Sequence, residues 1–328
     1  MNNPTFNFDA LTPDFMWYAL ASIGIRAESG LLALNSYENR VYQFSDEDKK
    51  RYVVKFYRPD RWNQDQIQEE HDFALELVEQ EVSVAPPLRI NGATIHHYEG
   101  YLFTLFDSVG GRQFEVDNMD QLEGVGRCLG RIHKVGASKV FQHRPTIGLQ
   151  EYLHQPKALL ENSNFIPMHL EKAFFGDLDV LIKSIEQNWS NDTSIIRLHG
   201  DCHPGNILWR DGPMFVDLDD ARNGPAIQDL WMLLNGERHE KLMQLDILLE
   251  GYQEFCDFNP AELKLIEPLR GLRMVYYMAW LAKRWHDPAF PLAFPWFNDS
   301  KYWEGQILAF KEQISALQEA PLSLMPQW

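Results

Sequence analysis

Cysteine is scarce in this sequence: Cys128, Cys202 and Cys256 are the three in 328 residues. An odd, scattered set excludes a disulfide framework. Cys128 and Cys256 lack the paired neighbours of a zinc site, so His199, Cys202 and His203 are not read as metal ligands. Long hydrophobic runs are missing too. The longest, Met274 to Ala282, falls far short of the ~20 residues that a membrane span requires. The opening stretch MNNPTFNFDA has neither the basic region nor the apolar core of a secretory leader. Positive charge is in deficit, with 30 Lys and Arg against 47 Asp and Glu and a net charge of −17. Such a field repels phosphate backbones and excludes extended nucleic-acid binding. Internal repeats and low-complexity tracts are absent. Together these absences predict a cytoplasmic protein with neither a membrane nor a nucleic acid as partner.

What is present is enough apolar residue, 45%, to build a core in two domains or lobes. Thr12-Pro13-Asp14 is a helix start, with a Thr cap and Pro at the first position. Strands are expected at 31–34, 40–44, 51–57, 88–90, 94–98 and 100–106, with one main helix from Gln64 to Gln80. Helical patterns dominate from about residue 117 and recur at 227–256, 261–285 and 301–318. The Pro- and aromatic-rich stretch 287–297 reads as a loop. The expected architecture is α+β and two-lobed: a strand-rich N-terminal lobe at 1–106, a hinge at 107–112 around Gly110-Gly111, and a mainly helical C-terminal lobe at 113–328.

The segment that carries most chemistry is His199-Gly200-Asp201-Cys202-His203-Pro204-Gly205-Asn206. Gly and Pro keep it irregular, and the apolar runs on either side anchor it. A second segment, Phe215-Val216-Asp217-Leu218-Asp219-Asp220, ends a short strand in three carboxylates. Crowded carboxylates need a cation, and Asn and Asp oxygens select Mg²⁺ over zinc. Asp201 and Asn206 stand five residues apart, as do the Asp and Asn of the protein-kinase catalytic loop. Asp217 follows where kinases keep their metal-binding Asp, although here the triplet is Asp-Leu-Asp. The pattern implies phosphoryl transfer from Mg-ATP, with Asp201 as base and Asn206 and Asp217 on the metal.

The first lobe supplies the remaining parts. Lys55 sits in an apolar strand, where a lysine is costly unless paired. In protein kinases, whose catalytic-loop spacing this chain resembles, such a strand lysine binds the phosphates and pairs with a helix glutamate, which implies Glu70 here, with Glu69 as the alternative. The turn from Leu34 to Arg40, including Ser36, is expected to cover the phosphates although it holds no glycine. The stretch Thr104–Asp107 is expected to face adenine, with Phe106 either there or in the core. His199 is expected to support Asp201 by hydrogen bonding, and His203 to position the loop or a phosphate. Asp219 and Asp220 are metal assistants or turn residues. Cys202 is a packing residue. The aromatics Trp231, Tyr276, Tyr277, Trp280, Trp285, Trp296 and Trp303 read mainly as core.

HGDCHPGN followed by FVDLDD resembles the aminoglycoside phosphotransferase and choline kinase superfamily, whose fold is protein-kinase-like. The similarity runs from the strand lysine to Asp229 and lies close to a bacterial stress-response branch. It implies a serine/threonine protein kinase acting as a cytoplasmic monomer, with Asp229 buttressing the catalytic loop. Small hydroxylated acceptors remain open: an amino alcohol, a sugar, homoserine or an aminoglycoside. The acidic composition would suit a cationic one. A non-catalytic nucleotide-binding regulator is a third reading, opposed by the intact Lys55, Asp201, Asn206 and Asp217.

Overall fold

The computed structural model describes residues 8–324. Most of MNNPTFNFDA, read above as lacking a leader, therefore lies outside the described residues. Helix α1 (Pro13–Ser22) starts where the sequence indicates, the Thr12 hydroxyl accepting from the Phe15 amide at 3.2 Å. Strands β1 (Leu32–Ala33), β2 (Arg40–Ser45) and β3 (Arg51–Phe56) follow, then helix α2 (Gln64–Glu79), capped reciprocally by Asn63 and Gln66. Strands β4 (His96–Tyr98) and β5 (Tyr101–Asp107) complete a five-stranded antiparallel sheet of order β1-β2-β3-β5-β4. The expected strand at 88–90 does not form. Pro86 and Pro87 lack donors for a ladder, and Ile90 instead pairs tightly with Ala93.

Beyond β5 comes the short strand β6 (Arg112–Gln113), then helix α3 (Met119–Gly136), which carries the apolar stripe Leu122, Val125, Leu129 and Ile132. A single π-helical turn at Gln150–His154 leads into α4 (Gln155–Glu161), and α5 (Met168–Asn188) follows. Strands β7 (Ile196–Leu198), β8 (Ile207–Trp209), β9 (Pro213–Phe215) and β10 (Arg222–Gly224) make two small sheets, β10-β7 and β6-β8-β9. The helical pattern at 227–256 is split into α6 (Gln228–Trp231) and α7 (Arg238–Gln253), with Gly236 at φ +79° between them. Helices α8 (Ile266–Arg284), α9 (Ala289–Ala293) and α10 (Ser300–Ala316) finish the second lobe. Helix α9 and a 3₁₀ turn at Pro295–Asn298 correct the reading of 287–297 as a loop. Proline is tolerated in the first turn of a helix, where amides need no partner, so short helices survive this Pro-rich stretch.

The second lobe's core is one large cluster that includes α3, α5, α7 and α8 side chains, and the first lobe's is a smaller one under the sheet. No helix among the described residues is long and apolar enough to cross a membrane. Helices α3 and α7 touch backbone to backbone: a β-carbon on Gly126 would lie 2.1 Å from the Leu248 carbonyl oxygen. Gly126→Ala is therefore expected to destabilise the protein by about 1–3 kcal/mol, despite alanine's better helix propensity. Urea unfolding measures this, and an unchanged midpoint would show that the helices part freely.

Candidate active site

Segment 199–206 leaves β7 and enters β8, and Asp217 follows β9, so the two small sheets fix both chemical segments. Gly200 has φ +87°, and a β-carbon there would lie 2.0 Å from the Asp220 carbonyl oxygen. No other residue fits a backbone turned this way and packed this closely. Buried Asp229 accepts from the His199 amide at 2.7 Å, the Gly200 amide at 2.9 Å and His133 Nε2 at 3.1 Å. One carboxylate thus holds two successive amides of the loop and ties them to α3.

Inside the loop the Asn206 side-chain amide donates to the Asp201 carbonyl at 3.0 Å, which leaves Oδ1 as the atom on offer to a cation. The His203 ring accepts at Nδ1 from the Gly205 amide at 3.0 Å, so its proton sits on Nε2, 3.5 Å from Asp201 Oδ2. Arg273, on α8, donates from Nη1 to Asp201 Oδ1 at 2.6 Å. Burial alone would raise the Asp201 pKa. The His203 hydrogen bond and the Arg273 charge outweigh it and hold the pKa at about 2. Asp201 is therefore a carboxylate throughout the physiological range, able to accept from a hydroxyl and orient it.

His199 does not support Asp201 as expected. Its Nε2 lies 3.0 Å from the Val216 carbonyl oxygen, and it pins the Asp217 segment instead. The Val216 amide in turn donates to the Asn206 carbonyl at 3.0 Å. Asp217 takes a left-handed backbone, φ +61°, with its side chain 52% exposed.

Lys55 corrects the expected pairing with Glu70. Its Nζ lies 2.9 Å from Asp217 Oδ1 and 3.5 Å from Asp219 Oδ1. Burial pulls its pKa down, but those two carboxylates drive it well above the ordinary value, so the ammonium is charged. Glu70 is bound to Arg144 Nη2 at 2.9 Å and stays in the field of Lys55 without bonding it. Glu69, the alternative, caps the backbone amides of Gln142, His143 and Arg144. Arg144 stands 74 residues from Glu70, and nothing local in the sequence announces it. Asp219 is buried and also pairs with Arg61. Asp220 pairs with Arg61 and Arg222, each at 2.7 Å. Both carboxylates are ion-paired with side chains of the fold.

Two cavities meet here. A deeper one of about 300 Å³ lies on the face of the sheet opposite the first lobe's core, with Val53, Lys55, Phe106 and Leu208 in its walls. An outer one of about 470 Å³ is lined by Asp201, Arg273, Tyr276, Tyr277 and Trp280, among others. Asn35, Ser36, Gly205, Asn206 and Asp217 line both. The Ser36 hydroxyl donates to the Asn39 carbonyl at 3.3 Å and closes the turn above. Phe106 lines the deeper cavity, its ring centre 5.7 Å from Lys55 Nζ. Trp231 and Trp303 are core as read, but Tyr276, Tyr277 and Trp280 form a wall of the outer cleft. Their spacing with Arg273 along α8 was the available signal for that wall. Arg61 was missed, since only the fold brings it to the site, and Glu38 was read as part of the Leu34–Arg40 turn without its ion pairs.

Residues 31–266 match the family described as Phosphotransferase enzyme family. Stress response kinase A of Escherichia coli K12 is 58% identical over 328 residues, covering all of both chains. A Salmonella typhimurium LT2 protein named Serine/threonine protein kinase RdoA is 56% identical over the same full length. Among solved structures, amicoumacin kinase hAmiN, captured with AMP-PNP, Ca²⁺ and Ami, superposes with a TM-score of 0.73 at 19% identity, covering 97% of each chain.

Asp229→Ala should leave the His199 and Gly200 amides unpaired in the core, at about 1–3 kcal/mol per group. The melting temperature and kcat should fall together. A loss of kcat with unchanged stability would mean that Asp229 touches the reaction directly.

Proposed function

The chain belongs to the phosphotransferase enzyme family, and we propose that it moves the γ-phosphate of Mg-ATP to the hydroxyl of a serine or threonine in a protein acceptor. The observation that carries this reading is the junction of the two cavities at Asn206 and Asp217, with Asp201 on the acceptor side. In the proposal, adenine lies between the apolar walls of the deeper cavity and beside Phe106, and the phosphates run out beneath the Ser36 turn toward Lys55. Lys55 exchanges Asp217 for phosphate oxygens, with Glu70 nearby in its field. Asp201 accepts a hydrogen bond from the acceptor hydroxyl and aligns it for in-line attack.

A metal fits this donor set. Among the described residues no group of three or more His, Cys, Asp and Glu could hold an ion. The Asn206 oxygen and the Asp217 carboxylate make a sparse, hard site that would be completed by phosphate oxygens and water, as Mg²⁺ sites on nucleotides are. Bound there, Mg²⁺ supplies charge neutralisation at the phosphates. The choice of protein over small-molecule acceptor rests on the Salmonella relative's name and full-length match.

Radiolabelled γ-phosphate transfer to a generic protein substrate tests this reading. Asp201→Ala should lose about 10²–10⁴-fold in kcat with ATP affinity retained. Asp217→Ala should lose Mg-ATP binding itself. Label transferred to amino alcohols or sugars but not to protein would reject the protein acceptor. An active Asp201→Ala enzyme would reject the role of Asp201.

A further inference from the structure

The outer cleft holds five carboxylates, and three of them are neutralised within the fold. Asp219 and Asp220 are neutralised by Lys55, Arg61 and Arg222. Glu38 accepts from Arg284 Nη2 at 2.8 Å, lies 3.1 Å from Arg58 Nε and 3.8 Å from Arg61 Nε, and accepts from the Trp280 indole. Its carboxyl is pressed toward protonation by burial but held below its usual range by Arg61 and Arg284. These three acids are spent on the fold, which leaves Asp201 and Asp217 as the partly exposed carboxylates of the cleft.

Arg273 is the opposite case. Its side chain is 44% exposed, and among the described residues its one side-chain hydrogen bond goes to Asp201. A guanidinium carries five donors in a fork suited to carboxylates, so most of its capacity faces the cleft. Arg273, Tyr276, Tyr277 and Trp280 follow one another at helical spacing along α8, and Tyr277 and Trp280 stack with ring centres 5.6 Å apart. That strip lines the outer cleft and sets a partly exposed cation beside Asp201.

We infer that Arg273 is a specificity-determining residue that selects acceptors bearing an acidic side chain immediately beside the serine or threonine to be phosphorylated. The inference rests on the protein-kinase reading above and narrows its substrate class. Arg273 holds Asp201 with one arm of its fork and the neighbouring carboxylate with the other. A lysine in that place meets the guanidinium as a like charge. The net charge of −17 opposes acidic chains only at long range, and salt of about 0.15 M screens it beyond about 8 Å.

The test uses two peptides that differ only in flanking residues, Glu or Lys on both sides of one serine, at physiological salt. Binding is measured with serine replaced by alanine, and transfer with serine in place. The Glu-flanked peptide should bind and react about tenfold better. Arg273→Gln should erase the ratio, and Arg273→Glu should invert it, whatever either does to overall rate. Equal binding of both peptides, or a ratio unmoved by the variants, overturns the assignment. Absent transfer with the binding preference intact counts against the kinase reading and not against Arg273.

Discussion

The partly buried ion network between the lobes is the feature on which the rest of this protein depends. Lys55 and Arg61 come from the first lobe, and Asp217, Asp219 and Asp220 from the second. The same network reaches Glu38 in the turn above the proposed phosphate site and Arg284 at the end of α8. Arg58 and Arg40 extend it to Asp287. Burying charges costs several kcal/mol per ion before their mutual attraction is counted, and removing one partner typically costs about 3–5 kcal/mol. An apolar interface could hold two lobes together as firmly. What the ionic one adds is register, because each carboxylate has one place in which it is fully paired. That register brings the deeper cavity and the outer cleft to a common edge at Asn206 and Asp217.

Segment 199–206, proposed as catalytic, is held rigid in a different way. It has almost no regular structure, yet its amides end on Asp229, its Asn206 side chain on its own backbone, and its His203 ring on Gly205. The left-handed Asp217 is an unfavourable conformation that the surrounding packing imposes, whereas Gly200 takes its left-handed backbone without strain. Preorganisation of this kind lets a carboxylate meet a hydroxyl without rearrangement at the moment of transfer.

Much of this was legible in the sequence because it is local. The Thr12 cap, the strand lysine and the spacing of Asp201, Asn206 and Asp217 each depend on a few adjacent residues, and the strand-rich and helical halves follow from periodicity. What could not be read is long-range. Glu70 was matched to Lys55 by proximity of type, but Arg144, distant in the chain, claims it. The acids at 217–220 suggested a richer metal site, yet Lys55, Arg61 and Arg222 neutralise two of them. The aromatics of α8 have core-like spacing and still face a cleft, since periodicity tells which residues share a face and not what that face meets. The segment 287–297 misled because proline marks loops in general but also suits the first turns of short helices.

The structure of the protein with a non-hydrolysable ATP analogue and Mg²⁺ tests the account most directly. It should show the triphosphate beneath the Ser36 turn, Lys55 transferred from Asp217 to phosphate oxygens, and the cation on Asn206 and Asp217 with Asp201 free toward the outer cleft. A nucleotide bound elsewhere, or a cation held by Asp219 and Asp220 with Lys55 still on Asp217, would contradict it.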